Sequence, residues 1–204
     1  LTSGSGNDTI TIDGGSVTGA VSTGDGTNSL TINNTNSSIG SYTGGSGVDT
    51  IVSKGGDING NVSTGAAADA LTLSDAGTIT GNVTLGSNSD SADGGDSLSV
   101  TGTSGSAKSV ITGSISTGAG ADSVSFTDAT IGGTGQTLSL GGDNNGLDGN
   151  DSLSGSNATI TGTVTLGSGA DSLTLSNGSS IDRKSTRLEL QSQFRISYAV
   201  FCLK

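Results

Sequence analysis

Residues 65–85, GAAADALTLSDAGTITGNVTL, hold one complete unit of the pattern that decides the fold. A turn of small residues leads to Asp69, after which Leu71 and Leu73 alternate with Thr72 and Ser74. Alternation with a period of two puts the apolar side chains on one face of a strand and the hydroxyls on the other. Ile79-Thr-Gly-Asn-Val83 then forms a second apolar station, interrupted by Gly81.

The unit recurs along the chain. Turn and strand read GSGNDTITI from Gly4, GDGTNSLTI from Gly24, GSGVDTIVS from Gly45, ADGGDSLSV from Ala92, GAGADSVSF from Gly118, LDGNDSLSG from Leu147 and GSGADSLTL from Gly167. Their anchors, Asp8, Asn28, Asp49, Asp69, Asp96, Asp122, Asp151 and Asp171, lie 20, 21, 20, 27, 26, 29 and 20 residues apart. The second station returns as VTGAV from Val17, INGNV from Ile58, ITGSI from Ile111 and ITGTV from Ile160. A base period near 20 residues with three enlarged steps predicts a parallel β-helix or β-solenoid of about eight coils over residues 1–181. Stacked at the strand spacing of about 4.8 Å, these coils form a rod of roughly 40 Å. The enlarged steps predict loops at 87–93, 103–109 and 141–150, projecting from corners without breaking the stack.

Composition agrees with a thin, regular interior. The 204 residues include 37 glycines and no proline, and the aromatics are confined to Tyr42, Phe126, Phe194, Tyr198 and Phe201. Such a chain must bury small and β-branched side chains in columns, and without proline every amide is free to join a ladder. Outward hydroxyls such as Thr9, Ser29, Ser97 and Ser123 are expected to form columns of their own on the strand face.

Charge and residue types restrict function. The net charge is −11, and Lys54 and Lys108 are the only basic residues before position 183, so nucleic acid is a poor partner. The chain has no histidine, and its only glutamate is Glu189. The usual nucleophile, base and orienting group cannot be assembled, and no enzymatic role is expected. Asp57, Asp75 and Asp128 lie outside the anchor column and read as turn residues rather than as paired acid and base. Cys202 is the sole cysteine, which excludes an internal disulfide, and no run is long and apolar enough to span a bilayer. Leu1 stands inside a repeat, so the chain reads as a fragment.

The alternation of GxGxDxLxL with IxGxV resembles the repetitive passenger regions of bacterial autotransporters and related adhesins. That resemblance implies a right-handed β-helix, secreted or displayed at the cell surface. Its role would be structural or adhesive, with a host or cell-surface receptor, protein or glycan, as partner. A second resemblance is to the calcium-binding repeats-in-toxin motif, GGxGxD followed by an apolar residue, which Gly44 to Asp49 with Ile51 matches in full. It implies a calcium-binding β-roll module of a secreted protein. Stacked carboxylates repel unless a cation or water separates them, and calcium takes hard oxygen ligands. Asp49, Asp69, Asp151 and Asp171 are the candidate calcium ligands on this reading. The alternative is a solvated aspartate that closes each turn on its own backbone.

After Ile181 the pattern stops. Arg183, Lys184, Arg187, Arg195 and Lys204 supply five of the seven basic residues, and DRKSTRLELQSQFRISYAVFCLK resembles translated sequencing-adapter read-through. Residues 182–204 are therefore expected to be a non-repeat tail outside the natural protein, with the alternation of Phe194, Ile196, Tyr198 and Val200 as the sign of a capping strand instead.

Overall fold

A computed structural model describes residues 1–87, 90–142 and 146–182. The protein is all-β, and its described residues contain no helix.

Each repeat contributes one strand to an eight-stranded sheet: Thr9–Asp13, Asn28–Asn33, Asp49–Lys54, Ala70–Ser74, Ser97–Thr101, Ser123–Thr127, Ser152–Ser156 and Ser172–Ser176. Every pairing is parallel, and each strand pairs with its counterpart in the next repeat. The register lines up equivalent positions. Ile10 meets Leu30, Leu30 meets Ile51, and the inward column continues through Leu71, Leu98, Val124 and Leu153 to Leu173. The expected hydroxyls align on the opposite face through Thr9, Ser29, Thr50, Ser97, Ser123, Ser152 and Ser172, with Ala70 interrupting the column.

The IxGxV stations build a second parallel sheet of 11 strands. In three repeats the station splits into two short strands around its glycine: Asp57–Ile58 and Val62–Ser63, Thr78–Ile79 and Val83–Thr84, Ser109–Ile111 and Ile115–Ser116. Here glycine is required by close approach. A Cβ on Gly60 would stand 2.6 Å from the Gly40 carbonyl oxygen, and one on Gly113 would stand 2.2 Å from that of Gly81. The backbone of one repeat thus occupies the space that a side chain of the next would need.

The core lies between the two sheets and joins Leu30, Ile51, Leu71, Leu98 and Leu153 to Ile58, Val62, Ile79, Val83 and Ile160. Size is balanced along it: Phe126 lies opposite Gly155, so the one bulky aromatic of the strand column meets a residue with no side chain. Ser53 is fully buried in the same column, and its hydroxyl donates to the Gly56 carbonyl at 2.7 Å. The first and last repeats cover less, leaving Ile10, Ile12, Leu173 and Ile181 only partly buried.

The predicted loops fall between strands, with one difference. Residues 102–108 make a turn in which the Thr103 amide donates to the Ala107 carbonyl at 2.8 Å. The longest step, from Asp122 to Asp151, splits its extra residues between the 141–150 loop and a bulge in Ala129–Ser139. There Gly133 to Gln136 oppose Gly162 alone. A bulge re-aims a strand without a gap in the sheet, so sequence spacing alone placed all the extra residues in the loop. The sheet also runs past the expected boundary, because Ser180–Asp182 pairs with Thr159–Thr161. The expected tail strand, at 194–200, lies outside the described residues.

Gly81→Ala is expected to destabilise the fold by about 1–3 kcal/mol, because its Cβ would lie 2.3 Å from the Gly60 carbonyl carbon. Gly19→Ala, in the same column but with open space around it, is expected to stay within about 0.5 kcal/mol of the parent. Equal melting temperatures for the two variants would contradict the close-approach account.

Candidate functional site

At the corner before each strand of the eight-stranded sheet, the small-residue turn delivers the anchor side chain to the interior. Asp49, Asp69, Asp96, Asp122 and Asp151 are all buried. Each reaches toward the preceding repeat, and from Asp69 onward the anchor's Oδ1 accepts the preceding anchor's amide N–H, while Asp49 Oδ1 accepts the Asn28 side-chain Nδ2. The Asp49 amide donates to Asp69 and the Asp69 amide to Asp96, both at 2.7 Å. The Asp96 amide donates to Asp122 at 2.7 Å, the Asp122 amide to Asp151 at 2.8 Å and the Asp151 amide to Asp171 at 3.0 Å. Anchor carbonyls accept from the next repeat in turn, as Asp96 does from the Ser123 amide at 2.8 Å. The column is a side-chain rail fixing the register of the repeats.

Asn28 shows what the rail tolerates. Its Oδ1 accepts the Asp8 amide at 3.0 Å, as an aspartate would. Its Nδ2 donates to Asp49 Oδ1 at 2.9 Å and to the Gly24 carbonyl at 3.1 Å. A neutral side chain with a donor therefore fits the position.

The turns stack backbone on backbone. A Cβ on Gly26 would stand 2.1 Å from the Gly6 carbonyl oxygen, and one on Gly47 the same distance from that of Gly26. Ala67 takes the equivalent place in its own turn, with φ of 85°, a left-handed conformation that an alanine adopts only under strain. The two inserted loops in this corner bring further acids inward. Asp93 Oδ2 accepts the Ser87 and Ala119 amides, each at 2.8 Å, and Asp148 Oδ2 accepts the Ser168 amide at 2.5 Å.

Burial dominates the electrostatics. It pushes Asp69 and Asp122 up to about 6, while hydrogen bonds pull the other way, from Thr64 to Asp69 and from Thr117 to Asp122. Asp96 and Asp151 are pushed up to about 8, and each is opposed only by the amide of the preceding anchor. The difference follows one position. Thr64 and Thr117 stand where Leu85 and Leu140 stand in the intervening repeats, as the bonds from Thr64 Oγ1 to the Leu85 carbonyl (2.7 Å) and from Thr117 Oγ1 to that of Leu140 (2.8 Å) show. Burial also raises Asp49, with Asn28 and Tyr42 opposing it. Tyr42 is the buried aromatic at this corner, and its hydroxyl pairs with that of Thr23 at 2.7 Å.

Sequence reasoning found the column but not its orientation. The four candidate calcium ligands lie in it, with Asp49 next to Asp69 and Asp151 next to Asp171. Oδ1 of each is turned to an N–H of the preceding repeat, one carboxylate per repeat, and Oδ2 of Asp49, Asp69 and Asp151 is buried without a hydrogen-bond partner. Among the described residues no group of three or more acidic, cysteine or histidine side chains is placed to hold one metal ion. Nor do these aspartates close turns on their own backbone in solvent, the other expectation, because the bond that orients each one runs to the neighbouring repeat. Asp57 accepts both the amide and the hydroxyl of Thr78, at 3.0 and 2.6 Å, while Asp75 and Asp128 take left-handed turn conformations. Asp93, Asp148 and the Thr64/Thr117 position were not singled out. The threonines were legible as a residue five places before the anchor in Thr23–Asn28, Thr64–Asp69 and Thr117–Asp122.

No family model matches the chain, and no curated protein or solved structure is significantly similar to it.

Two outcomes are expected. Relief of the left-handed alanine by Ala67→Gly raises stability by up to about 1 kcal/mol in thermal unfolding, and a lower melting temperature would refute the strain. Millimolar calcium leaves the melting temperature unchanged, since a ligand stabilises only the state that binds it; a calcium-dependent rise would show convergent ligands in this column.

Proposed function

We propose that the chain is a right-handed parallel β-solenoid of about eight coils from the secreted or surface-displayed region of an autotransporter-like bacterial protein. Its role is structural display and adhesion, and its partner is a protein or glycan receptor at a host or cell surface. The observation that carries this reading is the in-register pairing of each strand with its counterpart one repeat away, which lines up outward serines and threonines along the eight-stranded sheet, interrupted at Ala70 in one column and at Val52 in the other. A long polar face of this kind presents many identical hydrogen-bonding positions at a fixed spacing, the geometry needed for weak multivalent contact. The net negative charge and the resemblance of the repeats to adhesin passengers support the same reading. The described residues include no helix long and apolar enough to cross a membrane.

Two measurements test the proposal. Small-angle scattering is expected to give an elongated particle with a stack length of roughly 40 Å; a compact sphere would reject the solenoid. Beads carrying the full chain are expected to be retained several-fold better on cultured cells or immobilised glycans than beads carrying an unrelated acidic protein. Equal retention on every surface would reject adhesion while leaving the fold intact.

A further inference from the structure

We propose that Asn177 is a site of spontaneous covalent modification, where the main-chain nitrogen of Gly178 closes on the side-chain amide and converts the residue to aspartate and isoaspartate. The inference rests on the geometry of one corner of the fold and does not depend on the adhesive reading.

The chemistry needs an asparagine followed by a residue whose backbone is free to turn. The Gly178 nitrogen attacks Asn177 Cγ: an N–Cγ bond forms, the Cγ–Nδ2 bond breaks, and ammonia leaves with the proton of the Gly178 amide. Water then opens the cyclic imide, giving aspartate when it attacks the side-chain carbonyl and isoaspartate when it attacks the main-chain one. Asparagine is thermolabile in this way, and glycine favours the step because no Cβ restricts its backbone.

Asn-Gly occurs at Asn59, Asn145 and Asn177, and Asn145 lies outside the described residues. Asn59 and Asn177 are both exposed, so accessibility does not separate them. Backbone packing does. The Asn59 amide donates to the Ile39 carbonyl at 2.9 Å, and the Thr80 amide to the Ile58 carbonyl at 3.1 Å. Gly60 lies between the neighbouring repeats: a Cβ on it would stand 2.6 Å from the Gly40 carbonyl oxygen, and one on Gly81 would stand 2.3 Å from the Gly60 carbonyl carbon. Its peptide cannot swing toward the Asn59 side chain without moving both repeats. At Gly178 the same added Cβ would meet nothing within 4 Å. Asn177 and Gly178 form the tip of a turn, with φ of 51° and 79°. The bond that closes this turn runs from the Ser179 amide to the Ser176 carbonyl at 3.0 Å and leaves the Gly178 nitrogen outside it.

Other repeats supply the controls. Asn34 and Asn157 also follow the last residue of their strands in left-handed conformations, with φ of 64° and 50°. Each is tied to an aspartate of the preceding repeat, Asn34 Nδ2 donating to Asp13 Oδ1 at 2.7 Å and Asn157 Nδ2 to Asp128 Oδ1 at 2.5 Å. They are followed by Thr35 and by the buried Ala158, whose amide donates to Ser179 Oγ at 3.0 Å. Asn177 Nδ2 donates instead to a hydroxyl, that of Ser156, at 2.9 Å. The aspartate product fits the corner, since Asp75 and Asp128 hold the equivalent place in their own repeats with φ of 56° and 49°. Isoaspartate adds a main-chain atom inside the turn.

The test is peptide mapping by mass spectrometry of the full chain, incubated in mildly alkaline buffer both folded and in denaturant. In the folded chain Asn177 is expected to convert several-fold faster than Asn59, Asn34 and Asn157, and to yield both aspartate and isoaspartate. In denaturant Asn59 and Asn177 are expected to convert at similar rates, because the packing that separates them is gone. Conversion of Asn177 no faster than that of Asn59 in the folded chain would overturn the proposal. An equal excess at Asn177 in denaturant would overturn it too, since local sequence rather than the fold would then select the site. Gly178→Ala places a methyl in open space and is expected to slow the conversion many-fold. Its melting temperature is read alongside, and undiminished conversion in a folded Gly178→Ala chain counts against the proposal; the comparison of folded and denatured parent chain decides the matter if that variant does not fold.

Discussion

The bond from one anchor amide to the anchor carboxylate of the next repeat is the constraint on which the rest of the structure depends. It exists only where successive turns lie in near-perfect superposition, because Asp69 meets Asp49, and Asp96 meets Asp69, at 2.7 Å. That superposition brings turn backbones close enough to exclude a Cβ at Gly26 and Gly47, and it sets the strand register that stacks Leu30, Ile51 and Leu71. A hydrogen bond to a charged group contributes about 1.5–3 kcal/mol. Burying the carboxylate opposes that gain, and desolvation accordingly pushes Asp96 and Asp151 upward.

Small departures from the repeat are absorbed locally. Phe126 is accommodated by Gly155 opposite it, and the one non-glycine in the stacked turn column, Ala67, takes its left-handed conformation rather than shifting the turn. The position that holds Thr64, Leu85, Thr117 and Leu140 in successive repeats varies with a larger effect. A threonine there gives the anchor a hydroxyl, and a leucine gives it more apolar surroundings, so exchange of one for the other alters the chemistry of the neighbouring acid. Asp96 and Asp151 each follow an inserted loop, which places them eleven residues after Leu85 and Leu140.

The insertions therefore act on the column as well as on the surface. Each returns an aspartate to the corner, where Asp93 links Ser87 to Ala119 and Asp148 reaches Ser168. The gain is a link between repeats across an enlarged step. The cost is another acid beside an anchor that is already buried.

Alternation and period were enough to define the strands, the parallel pairing of equivalent positions and the inward columns from Leu30 to Leu153, because a repeat of nearly constant length leaves few other ways to bury its apolar residues. The column of anchors was equally legible, from spacing alone. Its direction was not: an aspartate after a glycine turn suits solvent, a cation or a neighbouring amide equally well, and only the superposition of adjacent repeats places the amide of Asp69 within reach of Asp96. The same holds for the bulge from Gly133 to Gln136, since inserted residues leave no record of whether they bend a strand or lengthen a loop. Burial of the anchors was decided by the tertiary structure, because a carboxyl group's desolvation depends on atoms contributed by neighbouring repeats.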